Sequence, residues 1–285
     1  VKVLIVGGQG QLGRALSACA PSDAEIVSHG SDTLDITNRG EVESLVRRLR
    51  PALLFNAAAY TAVDKAEGDE AAALAVNGTA VGLLAEAARL VGARLVHVST
   101  DFVFDGRAGT PYRPDAAPNP LSAYGRTKLT GEQLAGPDAL IVRTAWVYAS
   151  SGANFVRTML RLMRGGEPIR VVADQIGSPT YAPGLAWALW RLAEQGETGI
   201  FHYTDSGVAS WYDFAVAIQE EALAAGLLDR AVPVIPIATA DFPTPARRPS
   251  YSVLDKASLY QALGEPTRHW RANLRGMIAE LKAQG

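Results

Sequence analysis

The stretch Val1-Lys2-Val3-Leu4-Ile5-Val6-Gly7-Gly8-Gln9-Gly10-Gln11-Leu12-Gly13 decides the fold. An apolar, β-branched run of this length reads as a strand buried on both faces, and the paired glycines end it. The glycine loop then leads into a segment, Gln11 to Ala18, that reads as a helix. Glycines between a buried strand and a helix allow a tight turn and the close approach of a pyrophosphate, and the helix N-terminus offers free N–H groups and partial positive charge. Gly7, Gly10, Gln11, Leu12 and Gly13 are therefore candidate cofactor-binding residues. No Gly-Lys-Ser/Thr follows, which disfavours a Walker-type triphosphatase.

Outward from this unit, strands and helices alternate. Glu25–Ser28, Ala52–Phe55, Leu95–Ser99 and Ala139–Arg143 read as strands; Asn38-Arg39-Gly40-Glu41 has capping-box spacing for a helix that Pro51 closes. Asp69–Val91 reads as an Ala/Leu-rich helix ended by Gly92, and Ser122–Leu134 as the next. The pattern predicts an α/β fold: a doubly wound parallel sheet of Rossmann type over residues 1–150, with a smaller substrate-binding lobe over 151–285. In the lobe Phe155–Arg164, Trp211–Ala225 and Arg271–Leu281 look helical, while Ile169–Val172 and Ile200–Tyr203, within about 169–204, are expected to return to the main sheet. Five prolines between Pro233 and Pro249 suggest an irregular surface segment. Trp187 and Trp190, three apart, suggest a buried helix face.

Composition narrows the function. Lys+Arg 27 against Asp+Glu 29 gives a net charge of −2, which argues against a nucleic-acid partner. The single cysteine, Cys19, makes neither an internal disulfide nor a thiolate zinc site, and the four histidines lack ligand spacing, so no metal is expected. The N-terminal run is too short for a signal peptide, and the longest apolar candidate, Asp69–Val91, is interrupted by Asn77, Gly78, Glu86 and Arg89, so no membrane partner and a cytoplasmic location are expected. Monomer and homodimer both stay open.

The end of the second strand reads Val27-Ser28-His29-Gly30-Ser31, with no carboxylate before Asp32. A carboxylate there would bind a ribose 2′-hydroxyl; without one the site tolerates a 2′-phosphate, with Ser28 or His29 as donors. This favours NADPH, with NADH the alternative. Asp35 and Ile36 fall where an adenine would lie, and the small residues Asn56-Ala57-Ala58-Ala59 after the third strand leave room for the cofactor.

Tyr124-Gly125-Arg126-Thr127-Lys128 places a phenol and an ammonium on one helix face, and the fourth strand ends in Ser99-Thr100-Asp101. A tyrosine titrates at about 10, so a nearby lysine is expected to favour the phenolate, while Thr100 aligns the substrate oxygen. Tyr124, Lys128 and Thr100 are the candidate catalytic group. Arg247 and Arg248 offer fork-shaped donors for a diphosphate. His97 reads as a core residue and Asp64-Lys65-Ala66-Glu67 as a helix-entry pattern or loop salt bridge.

These motifs resemble the extended short-chain dehydrogenase/reductases. Arg50–Glu67, Val98–Phe104, Ala123–Glu132, Arg143–Tyr148, Asp174–Thr180 and Thr244–Pro249 narrow the resemblance to the dTDP-4-dehydrorhamnose reductase family. The resemblance implies that Tyr124 donates a proton beside Thr100 and that Lys128 grips the nicotinamide ribose. It sets Gly10, Gln11 and Leu12 on the pyrophosphate, Asp35 and Ile36 near the adenine, and Ala59, Tyr60 and Thr61 along the cofactor. Asp101 and Trp146 would meet a nucleotide-sugar substrate, for which Arg248 is a candidate on its own donor chemistry. Some members dimerise through a glutamate-bound magnesium; Arg14-Ala15 stands at that place here, so neither is carried over. A dehydratase would need a glutamate after Asp101, where Phe102 stands, and an epimerase would keep its cofactor oxidised and tightly bound. The rival from another class is a non-catalytic binding subunit, like the regulatory subunit of methionine adenosyltransferase.

Overall fold

The computed structural model describes residues 1–284. The first half runs β1 (Lys2–Val6), α1 (Gln11–Ala18), β2 (Glu25–His29), α2 (Arg39–Leu49), β3 (Leu53–Asn56), α3 (Val63–Ala66), α4 (Glu70–Leu74), α5 (Ala80–Val91), β4 (Arg94–Thr100), α6 (Ala123–Ala135) and β5 (Leu140–Thr144). The second half runs β6 (Val147–Tyr148), α7 (Phe155–Gly165), β7 (Ile169–Val172), β8 (Ile176–Gly177), β9 (Thr180–Tyr181), α8 (Ala182–Gln195), β10 (Gly199–His202), β11 (Ala209–Ser210), α9 (Trp211–Ala225), β12 (Val234–Ile237), α10 (Ala257–Leu263) and α11 (Trp270–Gln284).

Six parallel strands form the main sheet in the order β10-β5-β4-β3-β1-β2. The chain reverses its winding between β1 and β3, and a crevice opens at that switch point, beyond the carboxyl ends of the strands. One face is covered by α1 and α8, around Leu16, Leu185, Leu189 and Trp190; the other by α2, α5 and α6, around Val42, Val46, Val81 and Leu84. The strands are apolar throughout because both faces are buried: Val3 to Val6 are fully buried in β1.

Local chemistry sets the helix ends. The Asn38 side chain accepts from the amides of Gly40 and Glu41 at the start of α2, and Ser122 accepts from Gly125 at the start of α6. Gly92 closes α5 in the left-handed conformation at φ 73°. The expected Asp69–Val91 helix is present but carries a π-helical turn, Ala75–Thr79, between α4 and α5. By length and composition Glu70–Val91 could cross a membrane, contrary to the sequence expectation; it is instead packed on α2 and α6 with one face buried.

A second core lies among α7, α9, α11 and β7, with Phe214, Met163, Leu274 and Met277 at its centre. Three sequence expectations fail in this half. Ile200–His202 joins the main sheet beside β5, but Ile169–Val172 does not: it pairs with Val234–Ile237 to form a separate two-stranded sheet. The proline-rich segment is therefore not wholly irregular. Pro236 sits on an outer strand of only two, where its missing N–H leaves few ladder bonds broken. Trp187 is exposed, whereas Trp190 is buried edge-on against Phe55, so the two indoles do not share a face.

Beneath the carboxyl end of β4 lies a buried ion pair. Arg143 Nη2 meets Glu132 Oε2 at 2.7 Å and Arg143 Nε meets Oε1 at 2.9 Å, while Ser99 donates to Oε1 at 2.5 Å. Both charged side chains are almost wholly buried. Removing one partner leaves an uncompensated charge, so Arg143→Met should destabilise the fold by about 3–5 kcal/mol, read as a lower denaturant midpoint with the slope unchanged.

Candidate active site

The glycine loop is shaped by close packing. Gly7 has φ 77°, and a Cβ on it would lie 2.4 Å from the Ala58 nitrogen; a Cβ on Gly13 would lie 2.3 Å from the Gly7 carbonyl oxygen. Gly7 thus lets the ends of β1 and β3 approach, and Gly13 seats α1 on the loop. No side chain caps α1, whose N-cap is Gly10. The first amides of α1 are left facing a cleft of about 850 Å³.

That cleft is lined by Gly7, Gly10, Gln11, Leu12, Asp35, Ile36, Ala59, Tyr60, Thr61 and Lys128, all anticipated for the cofactor, and by Tyr124. Gly13 supports the loop from behind and does not line it. At the β2 end, His29, Gly30 and Ser31 line the cleft. Ser28, expected as a donor there, turns toward Gly8: its Oγ occupies the place a Cβ on Gly8 would take. Asp32, the first carboxylate after β2, is bound by Gln9 Nε2 at 2.8 Å. These features fit a dinucleotide with a 2′-phosphate: a glycine cradle a side chain would fill, uncapped helix amides, and a β2 end with its nearest anion turned aside.

Tyr124 and Lys128 project from the first two turns of α6 into the same cleft. Thr100, buried at the end of β4, lines neither cavity; it lies beside the Tyr124 phenol and donates to Asp101 Oδ1 at 3.0 Å. Burial pushes the Tyr124 phenol up to about 12, with Thr100 pulling it down and Asp101 adding to the rise. The expected lowering by Lys128 is absent. Its Nζ donates instead to the Val98 carbonyl at 2.6 Å, and burial lowers the Lys128 ammonium to about 8. Desolvation dominates at both groups.

A second cavity of about 40 Å³ adjoins, lined by Asp101, Trp146, Gln175, Trp211, Arg248 and Ser252. Trp146 takes φ 49°, unusual for a bulky residue, and stacks on Trp211 at 3.6 Å between ring centroids. Gly177 leaves space for its indole, which a Cβ there would approach to 2.9 Å. Arg248 lines this cavity, but its guanidinium is already forked onto Asp64 of α3, Nη2 to Oδ2 at 2.8 Å and Nη1 to Oδ1 at 3.1 Å. The Asp64 motif is therefore the salt bridge its alternative reading expected, and Arg248 is not a free diphosphate fork. Arg247 is exposed and lines neither cavity.

The family described as "RmlD substrate binding domain" matches residues 1–283. The chain belongs to that family. A dTDP-4-dehydrorhamnose reductase from Aggregatibacter actinomycetemcomitans is 42% identical over 289 residues, covering 98% of each chain. Among solved structures, a dTDP-4-dehydrorhamnose reductase from Clostridium acetobutylicum aligns with a TM-score of 0.93 at 40% identity, covering 99% of this chain and 100% of the other. A dTDP-4-dehydrorhamnose reductase from Bacillus anthracis, in complex with NADP, gives 0.93 at 36% identity over 98% and 99% of the two chains. The family resemblance and the Rossmann-type fold expected from the sequence are both borne out.

Several residues of the site carry no sequence signal of their own. Asn77, which looked like a helix interruption, sits in the π-turn; its Oδ1 accepts from the Tyr60 amide at 2.8 Å and its Nδ2 donates to the Tyr60 carbonyl at 3.1 Å, fixing the strip along the cleft. Gly152 and Ala153 close the cleft from the second lobe, tied by Asn154 Nδ2 to Gln11 Oε1 at 2.9 Å. Trp211, Gln175 and Ser252 come from distant segments and meet only in the fold.

Asp101 Oδ2 is buried without a hydrogen-bond partner beside the small cavity. Burial pushes this carboxyl up to about 6, against the lowering by Ser252 and Thr100. An acid raised in this way is protonated below about 6 and gains its accepting charge above it. If the carboxylate accepts from a substrate hydroxyl, kcat/KM should fall as pH drops through about 6, and Asp101→Asn should flatten that limb. An unchanged acid limb in the variant would remove Asp101 from substrate binding.

Proposed function

We propose that the chain reduces the C4 carbonyl of dTDP-4-dehydro-6-deoxy-L-mannose (dTDP-4-dehydrorhamnose) to give dTDP-L-rhamnose, with NADPH as the reductant. The observation that carries this reading is the seam between the two cavities. There Tyr124 lines the large cleft, Asp101 lines the tryptophan-lined cavity, and Thr100, beside the Tyr124 phenol, donates to Asp101. Full-length similarity to reductases of that name supports it.

NADPH supplies a hydride to the carbonyl carbon when bound. The residues of the chain do the rest. The amides of Gln11 and Leu12 at the start of α1 hold the pyrophosphate, Asp35 and Ile36 flank the adenine, and Ala59, Tyr60 and Thr61 run along the cofactor. Lys128 holds the nicotinamide ribose. Thr100 aligns the carbonyl oxygen and the Tyr124 phenol, and Tyr124 gives its proton to the alkoxide that forms. A phenol raised to about 12 is fully protonated near neutrality, which is the state a proton donor needs. Asp101 and Trp146 meet the sugar at the small cavity, whose lining also includes Arg248, held by Asp64.

Positioned proton transfer is worth ~10²–10⁴-fold, so Tyr124→Phe should lower kcat by about that range with NADPH affinity nearly unchanged. Near-wild-type turnover in that variant would refute the assignment of Tyr124. With no carboxylate on β2 itself beyond Glu25 and with Asp32 tied to Gln9 outside the cleft lining, kcat/KM should be higher for NADPH than for NADH. Steady-state kinetics with both cofactors and the keto-sugar nucleotide, with the product identified by NMR, test the cofactor and the reaction together. A strong NADH preference would overturn the cofactor reading.

A further inference from the structure

We propose that His97 is a positioning residue for Lys128: its Nε2–H faces the lysine Nζ and favours the neutral amine over the ammonium, with Asn56 fixing the imidazole tautomer. The proposal deepens the reading of Lys128 as the ribose anchor and rests on it.

The strands dictate the pairing. β3 and β4 are parallel neighbours, and Asn56 lies opposite His97 in register, so the two side chains stand together on one face of the sheet. Both are buried, at 1% and 0% exposure. The Asn56 amide has one orientation, because its Oδ1 accepts from the Ala58 N–H at 3.1 Å. Its Nδ2, which can only donate, therefore faces His97 Nδ1 at 3.1 Å. Nδ1 must present a lone pair, and a neutral imidazole with its lone pair on Nδ1 carries its hydrogen on Nε2. An imidazolium would set two donors against each other at Nδ1. Burial and the neighbouring lysine also hold His97 well below the usual histidine range.

Nε2 faces Lys128 Nζ at 3.4 Å. An ammonium has donors only, so an Nε2–H pointed at it is an unmatched pair in a dry interior. A neutral amine resolves the conflict. Its lone pair accepts from His97 Nε2–H, and one of its own N–H bonds donates to the Val98 carbonyl at 2.6 Å. The chain then runs in one direction with each contact matched: Asn56 to His97, His97 to Lys128, Lys128 to Val98. Of the other titratable groups, His29, Asp35 and Tyr60 line the same cleft from beyond α6, and two lie on the lysine's own helix. Tyr124 is one turn before it. Glu132, one turn after it, favours the ammonium, but its carboxylate is engaged by Arg143 of β5 and Ser99 of β4. Burial of Lys128 acts in the same direction as His97.

The arrangement has chemical use. Hydride addition to a carbonyl followed by protonation consumes one proton per turnover. Lys128, one helical turn from the donor phenol and with its midpoint near 8, is mostly ammonium at neutral pH but keeps a minor neutral fraction that can take a proton from solvent through the cleft. A lysine held permanently as ammonium could not take one up.

Two measurements on the full-length protein test this. Long-range 1H–15N spectra of 15N-labelled protein, with the His97 ring assigned through its contacts in β4, should show a neutral Nε2–H tautomer near neutral pH. A proton on Nδ1, or an imidazolium, overturns the proposal, and this measurement needs no variant. The pH dependence of Lys128 acetylation by acetic anhydride, read by peptide mass spectrometry, should have its midpoint near 8 in the wild type. In His97→Phe, which removes the donor, and in Asn56→Leu, which frees the tautomer, the midpoint should rise by about one pH unit, so that the neutral fraction below it falls about tenfold. Unchanged midpoints in both variants overturn the proposal. NADPH oxidation by wild-type protein with the keto-sugar nucleotide separates the two levels. No turnover overturns the function reading and leaves the tautomer and midpoint results standing, whereas turnover with unmoved midpoints overturns the role of His97 alone.

Discussion

The structure depends on how closely two strand ends approach at the winding reversal. Gly7 and Ala58 meet there at a separation that no side chain on residue 7 could enter. That approach brings the tip of β1 beside the tip of β3, leaves the amides of α1 uncapped, and opens the large cleft over both. The residues further along the sheet inherit their placement from it. Because β3, β4 and β5 run parallel and in register, Asn56, His97 and Ile141 form one row across the sheet, and Thr100 and Thr144 another near the carboxyl edge. The reactive hydroxyls and the cofactor loop share that edge for this reason.

What could be read from the sequence was what short-range chemistry determines. The strand–glycine–helix unit, the Asn38 cap, the Gly92 stop and the long apolar strands are all local, and each appears where its residues place it. The reading failed where the deciding partner lies far along the chain. Ile169–Val172 has a good strand pattern, but only the fold reveals that its partner is Val234–Ile237 in a proline-rich segment. Arg248 has the right fork for a diphosphate, yet a carboxylate 184 residues away in the chain already occupies it. Trp187 and Trp190 match a helix period, but only one of them faces a neighbouring layer.

The electrostatics of the candidate site follow the same division. Spacing alone places a phenol and an amine on one helix face, and both line the cleft. Spacing does not reveal that both are dehydrated or that the amine reaches a backbone carbonyl and an imidazole instead of the phenol. Burial therefore moves the phenol up and the amine down, opposite to the shift that pairing would cause in the phenol. His97 is a core residue by burial, as its apolar strand suggested, and its ring nitrogens are nonetheless committed to specific polar neighbours.

The π-helical turn at Ala75–Thr79 bears on which length changes this chain can tolerate. A widened turn of this kind amounts to one residue inserted into a regular helix. Deleting one residue would let the helix close into an uninterrupted rod, which taken alone is favourable. It would also rotate the preceding segment by about 100° about the helix axis. Asn77 would then swing away from Tyr60, and the strip beside the cleft would lose its backbone clamp. Relatives that keep this cleft geometry should therefore accept substitutions around the turn more readily than a change in its residue count.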